Sequence, residues 1–122
     1  QIGATVETPT GTLALEPLVS VPSVFPGSPH EEIVDAAALA GPLALRPWRE
    51  GDRIRPLGMD GSRLVSDVLT DARIPPSTRR QRLVLASGAT VVWVVGLRLA
   101  ESARVRASTE QAVALRWTPQ SP

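Results

Sequence analysis

The apolar positions of this chain fall in short blocks separated by turn residues, the spacing of a β-rich fold and not of long amphipathic helices. The longest block, LVLASGATVVWVVGLRLA at residues 83–100, is close to the minimum length of a membrane span. Gly88 and Gly96 interrupt it, Arg98 lies inside it, and Val91, Val92, Val94 and Val95 around Trp93 are strand formers. The block therefore reads as two strands joined by Ser87-Gly88-Ala89, with no membrane crossing. A strand that stays apolar at consecutive positions has both faces covered, so residues 90–95 are expected to run through the middle of the core.

Other strands are expected at Ile2–Glu7 and Thr12–Glu16, which form a hairpin around Thr8-Pro9-Thr10-Gly11. Four more fit Leu43–Trp48, Arg53–Leu57, Arg104–Ala107 and Ala112–Thr118, while proline and glycine make residues 20–30 a loop. Helical signals are few. Ser66 followed by Asp67 offers an N-cap and a favourable first-turn charge, and the pattern ends at Ile74-Pro75-Pro76. Ser77 or Thr78 suits a second short turn through Gln81. In SPHEEIVDAAALAG, Ser28 and Glu31 match a capping box, Pro29 suits the first helical position and Gly41 the end, so local rules make residues 29–40 helical. The fold class is α+β: a small, mostly antiparallel β sandwich or barrel-like module with one or two short helices.

Length favours one domain. The chain begins with Gln1, not Met, and shows no secretory signal, so it reads as a piece of a longer protein. Without cysteine there are no disulfides and no thiolate metal sites. The net charge of +1 hides an asymmetry: residues 1–45 carry five acids and no arginine, whereas all 13 arginines lie from Arg46 onward. A one-signed field of that kind points to an anionic partner.

Catalytic constellations are missing. Asp67 and Asp71 are four apart and share a helix face, but an N-cap acid and an ion-paired surface acid account for them better than acid–base work. His30 is the sole imidazole and reads as a solvated loop residue without partners for a metal site or a triad. Gly58 and Gly61 flank Met59-Asp60 as a turn, not a phosphate-cradling loop, and no ATP site can be assembled. Chemistry then falls to the nine arginines of residues 46–82, against which stand Glu50, Asp52, Asp60, Asp67 and Asp71. Arg53 and Arg55 alternate around Ile54 and share a strand face, as Arg104 and Arg106 do around Val105. Arg79, Arg80 and Arg82 follow the double proline as a compact exposed cluster. Guanidinium forks suit phosphate oxygens. Ion pairing accounts for any single arginine equally well, but the surplus of cations makes the set a polyanion surface. Aromatics are too scarce for base stacking: Trp93 and Trp117 read as core, which leaves backbone contact and shape recognition.

The blocks WREGDRIRPLG, GSRLVSDVLTDARIP, RRQRLVL and VVWVVGLR occur in this order and resemble the C-terminal domain of bacterial tRNA(Ile)-lysidine synthases, over about Leu43–Thr118. Trp48, Gly51, Asp52, Arg53, Pro56, Leu57, Gly58, Ser66, Asp67, Pro75, Arg79, Trp93, Gly96 and Arg98 fit the family pattern. The resemblance divides the chain into residues 1–42, a linker with leading strands, and residues 43–122, a tRNA-binding domain similar to one in the phenylalanyl-tRNA synthetase β chain. It implies a cytoplasmic enzyme that uses ATP and magnesium to join lysine to the wobble cytidine of a CAU-anticodon tRNA(Ile). The chemistry belongs to a Ser-Gly-Gly-x-Asp-Ser loop that is absent from these residues, so no cofactor is expected here.

The nucleic-acid contacts implied are Arg49, Arg53, Arg55, Arg63, Arg73, Arg79, Arg80 and Arg82. The framework is Trp48, Gly51, Asp52, Pro56, Gly58, Ser66, Asp67, Trp93 and Gly96. A turn glycine followed by an aspartate can tie the loop amides and aim Arg53 and Arg55. Two positions depart from the family pattern. After Gly61 only Arg63 is basic, with Leu64 where a second basic residue is usual, and Asp35-Ala36-Ala37 stands for an Asp-Ala-Asp run. The resemblance makes residues 31–35 extended and followed by a turn, against the capping-box reading. A scaffold or dimerisation domain, including a homodimer, is the alternative from another class, and a free-standing enzyme using Asp67 and Asp71 is a third.

Overall fold

A computed structural model of the chain describes residues 4–120. One antiparallel sheet is built from β1 (Thr5–Thr8), β2 (Gly11–Pro17), β3 (Glu31–Asp35) and β10 (Ala112–Pro119), in the order β1-β2-β10-β3. A second contains β4 (Leu43–Pro47), β7 (Leu83–Ser87), β8 (Thr90–Val94) and β9 (Arg98–Leu99), in that order. Between β4 and β7 the chain makes a small hairpin, β5 (Arg53–Ile54) and β6 (Arg63–Leu64), and two short helices, α1 (Val65–Asp71) and α2 (Pro76–Arg79). Both expected hairpins are present. The part of the first expected strand at Ile2 and Gly3 lies outside the described residues. Strands β1–β3 come from the segment that the resemblance set apart, yet β10 bonds to both β2 and β3, so they share one core with the rest.

Two features close the first hairpin. The Thr8 hydroxyl accepts from Gly11 N at 3.1 Å and Thr10 N at 3.3 Å, satisfying the turn amides. At Gly11 a Cβ would lie 2.5 Å from both the Thr118 carbonyl and the Trp117 ring, so only glycine lets the indole cross this strand.

The apolar run of residues 83–95 is covered on both faces. Leu83, Leu85, Val92, Trp93 and Val95 pack with Leu13, Leu15, Val34, Val113 and Leu115 of the opposing sheet. Val84, Val91 and Val94 face the other way, where Ile54, Val65, Val68 and Leu69 of the β5–β6 hairpin and α1 form a second cluster. The pairing of β7 with β8 shifts between Leu85 and Ala86: Leu85 opposes Trp93 and Ala86 opposes Val91. Val92 is the extra residue, and it joins Trp93 in the same cluster. The architecture is a sandwich with a third, partly helical layer on one outer face.

Three local expectations are corrected. Residues 29–40 are not the helix that local capping rules suggest; Glu31–Asp35 is a strand followed by a turn, as the resemblance implied. Ser28 makes a turn, its hydroxyl accepting from His30 N at 3.2 Å, and β3 follows, because strand geometry sends Val34 into the core opposite Val113. The cap moves to Asp35, whose carboxylate accepts from Ala37 N at 2.9 Å and starts a 3₁₀ turn at Ala36–Leu39. Arg104–Ala107 is not a strand. A 3₁₀ turn at Glu101–Ala103 precedes it, and Arg104 and Arg106 fold back onto Glu101. Ser66 is not an N-cap. Helix α1 starts two residues earlier than a Ser66 cap would place it, with Leu64 at the cap position, because Val65 N donates to the Asp52 carbonyl at 2.8 Å and a neighbouring backbone does the capping. Asp67 does lie in the first turn, as expected. Trp93 is fully buried, whereas Trp117 is only partly covered against the first cluster.

Removing the Trp93 ring opens a cavity where two layers meet, so Trp93→Ala is expected to cost about 3–5 kcal/mol in urea denaturation. Asp67→Ala, which loses only a first-turn charge, should cost under about 1 kcal/mol. Equal and slight effects would contradict the central position of β8.

Candidate nucleic-acid interface

The basic surface is organised around Asp52. Arg46 Nη1 and Nη2 donate to its two carboxylate oxygens at 2.9 and 3.0 Å, a bidentate pair. Arg49 N donates to the same carboxylate at 2.7 Å, and Asp52 N to the Arg49 carbonyl at 3.0 Å, closing a turn in which Gly51 takes φ +92°. The aspartate therefore ties the loop amides, as the sequence suggested. The specific pairing with Arg46 was not foreseen, because residue 46 lies on β4, in a different sheet from β5. The Arg46 hydrogen bond, opposed by burial and aided by the Arg49 amide, holds the Asp52 carboxyl below the usual carboxylate range. The same bond raises the Arg46 guanidinium.

From this anchor the chain enters β5 with Ile54 buried and Arg53 and Arg55 exposed on the other face. Arg53 Nε donates to Ser62 Oγ at 2.9 Å and Arg55 Nε to the Met59 carbonyl at 3.2 Å, so both are oriented without being neutralised. Arg49 and Arg80 are exposed. Arg73 is exposed and takes φ +60° just after α1, a left-handed position where glycine is usual. Among the described residues no carboxylate lies within 4.0 Å of any of these five arginines.

Three of the eight nominated arginines behave differently. Arg63 pairs with Asp71 at 2.6 Å. Arg79 and Arg82 are half-buried, which corrects the expected exposed cluster: only Arg80 of the three is open to solvent. The cause is Trp48, whose indole N–H donates to the Arg79 carbonyl at 2.8 Å and whose amide donates to the Arg82 carbonyl at 3.1 Å. Those bonds draw the loop onto the core. Arg79 Nη2 donates to the Ile74 carbonyl at 2.9 Å, and Arg82 reaches the Val95 carbonyl at 3.4 Å.

The framework residues act as supports. Pro56 bridges to Ala100, and Gly58, at φ +80°, donates its amide to Glu101 at 2.7 Å. That amide, with Arg104 and Arg106, lowers the Glu101 carboxyl. Ser66 offers only its carbonyl, to the Thr70 hydroxyl at 3.0 Å. Asp71 turns to Arg63, so Asp67 and Asp71 are not brought together as a catalytic pair, and no group of three metal-ligating side chains occurs among the described residues. The expectation that His30 is a solvated loop residue is corrected. It is half-buried and lines a cavity with Arg82 and Trp117, through strand pairing that local patterns do not reveal.

The profile of the TilS substrate C-terminal domain family matches residues 43–117. A tRNA(Ile)-lysidine synthase from Symbiobacterium thermophilum is 43% identical over 94 residues, which cover 75% of this chain and 20% of that protein. One from Geobacter sulfurreducens is 35% identical over 106 residues, 87% of this chain and 22% of that protein. The chain thus spans about a fifth of the length of these relatives. A crystal structure of a TilS C-terminal domain superposes with a TM-score of 0.85 at 20% identity, covering 100% of this chain and 95% of that one, and shares its fold.

Asp52→Asn leaves the Arg46 fork short of a charged acceptor and is expected to cost about 1–3 kcal/mol at neutral pH. Because the folded carboxyl is held low, its contribution is fully present above the unfolded value of about 4 and fades as pH falls through the lowered folded value. Urea melts of both proteins at neutral and acidic pH should converge on acidification. A gap that widens instead would contradict the pairing.

Proposed function

The chain belongs to the TilS substrate C-terminal domain family, and from that premise we propose that it is the non-catalytic tRNA-recognition module of a tRNA(Ile)-lysidine synthase. The observation that carries this reading is the unspent charge. Of nine arginines between residues 46 and 82, only Arg46 and Arg63 have a carboxylate within 4.0 Å among the described residues. Guanidinium groups left in this state on a folded surface hold flat donor forks ready for phosphate oxygens. Arg49, Arg53, Arg55, Arg73 and Arg80 are the exposed members and make the phosphate contacts, with Arg63, Arg79 and Arg82 as secondary candidates. No aromatic platform accompanies them, so the module grips backbone and shape. In the whole protein, ligation of lysine to the wobble cytidine of a CAU-anticodon tRNA(Ile), with ATP and magnesium, belongs to residues elsewhere, and this module positions the substrate for it.

Arg73 adds support. A left-handed backbone costs a non-glycine residue about 1 kcal/mol or more, and among the described residues no carboxylate pairs with the Arg73 side chain to offset the strain. A residue kept in such a place is suited to contact something outside the fold.

Arg53→Gln combined with Arg80→Gln should weaken cognate and unrelated tRNA alike and lower the slope of log affinity against log salt by about 0.7–0.9 per contact, with an unchanged melting temperature. An unchanged slope would count against RNA binding by this surface.

Arg73→Gly separates stability from binding. Relief of the left-handed strain is expected to stabilise the chain by about 0.5–1 kcal/mol while tRNA affinity falls. Chemical denaturation and a filter-binding titration of one variant read both quantities, and a loss of stability with unchanged affinity would assign Arg73 a structural role only.

A further inference from the structure

We infer that the cavity bounded by His30, Arg82 and Trp117 is a phosphate-binding site, which, resting on the tRNA reading above, seats one backbone phosphate of the bound RNA. The cavity has a volume of about 210 Å³ and lies where the turn before β3, the end of β10 and the link from α2 to β7 meet. With roughly 30 Å³ for each water in the liquid, it has room for a phosphate group and part of its hydration.

Its walls present donors: the Arg82 guanidinium, the His30 imidazole, the Gln81 amide and the hydroxyls of Thr10 and Thr78. No carboxylate lines it. Four further cavities each carry one, Glu101, Glu7, Asp71 and Glu16 in turn, beside their arginines, whereas here the guanidinium has no carboxylate in the same lining.

Arg82 and His30 come together against Gly96, which is buried at φ +80°: a Cβ there would lie 3.6 Å from Arg82 Nη2, 3.3 Å from His30 Cδ2 and 3.7 Å from His30 Nε2, so the bare glycine lets both side chains pack side by side at the edge of the cavity. Both residues are held by their backbones. The His30 carbonyl accepts from Trp117 N at 2.8 Å, while Arg82 N donates to the Arg79 carbonyl at 3.1 Å. Preorganised donors of this kind lose little freedom when an anion arrives.

The Arg82 charge is the reason for expecting an anion and not a neutral ligand. Among the described residues the half-buried Arg82 pairs with no carboxylate, and its guanidinium makes one hydrogen bond, to the Val95 carbonyl at 3.4 Å. A guanidinium has five N–H donors, so most of them point to the cavity or to water. Burial lowers its basicity without a compensating counter-charge. A phosphate oxygen supplies that counter-charge and accepts from Arg82 and His30 together.

The test uses the 122-residue chain, nitrogen-15 labelled, titrated first with inorganic phosphate and then with tRNA at several salt concentrations. Millimolar phosphate should shift the Arg82 Nε–H and Trp117 indole signals and leave those of Arg80 and Trp93 in place. Uniform shifts at all arginines, or none, would overturn the site. His30→Ala keeps the backbone bonds, and Arg82→Lys keeps the charge but loses the fork. Each should lower tRNA affinity about 5- to 10-fold, the worth of one charge-assisted contact. If Arg53→Gln with Arg80→Gln weakens tRNA binding but both pocket variants leave it unchanged, the phosphate site is refuted as an RNA contact and the tRNA reading stands. If phosphate saturates the pocket but the unmodified chain does not bind tRNA, the tRNA reading fails, and the RNA assignment of the site fails with it.

Discussion

The double-sided burial of the β7–β8 pair is the constraint on which the rest of the molecule depends. An edge or surface strand can leave one face to water, but Val84, Val91 and Val94 point away from the cluster that holds Leu85, Val92 and Trp93. Each buried valine gains on the order of 1.5–3 kcal/mol from leaving water, so an uncovered second face would forfeit several kcal/mol in a domain whose whole stability is of order 5–15. That requirement explains the third layer. The β5–β6 hairpin and α1 are too short to stand alone. They persist because Ile54, Val65, Val68 and Leu69 roof the outer face of the sheet.

Asp52 couples this roof to the second sheet. Its carboxylate holds Arg46 on β4, its carbonyl receives the first amide of α1, and its own amide closes the turn that precedes β5. One residue thus fixes a strand, a turn and a helix start. The arrangement also settles which arginine is structural. Arg46 and Asp52 are mostly covered, at 20% and 14% side-chain exposure, and the fork geometry is bidentate. By contrast Arg116 with Glu31, exposed at 54% and 41%, is an ion pair worth little, because water and salt screen it.

The legible parts of the fold were those governed by local pattern plus covalent turn chemistry. The apolar run at residues 83–95, the Ser87-Gly88-Ala89 turn, the first hairpin and the Gly51-Asp52 turn each carry their cause within a few residues. What could not be read locally was decided across the fold. Ser28 and Glu31 form a sound capping box, but Val34 has a partner in Val113, about eighty residues away, and core burial outweighs a cap of about 1 kcal/mol. Arg104 and Arg106 alternate like strand residues, but Glu101, anchored by the Gly58 amide, gathers them. Arg79 and Arg82 look exposed from composition alone, and only the indole of Trp48 shows why the loop lies against the core. His30 gained a setting because β3 pairs with β10 beside Trp117, a relation between distant segments.

Two arginines break local rules without an evident internal gain. Arg73 occupies a left-handed position that suits glycine, and Arg82 is half-buried without a counter-charge. Elsewhere the same chain follows the rules closely: glycine stands at the positive-φ positions 51, 58, 88 and 96, and there are no buried polar or charged residues among the core residues. A sequence that satisfies its backbone so consistently in four turns has no folding reason to place arginine in a fifth. Strain and uncompensated desolvation both weaken the free chain. An anion relieves the second directly and gives the first a purpose by meeting a side chain that the strained backbone presents outward. The proposed tRNA surface and phosphate site would give both arginines one kind of partner, an anion, which neither the sheets nor the helices supply.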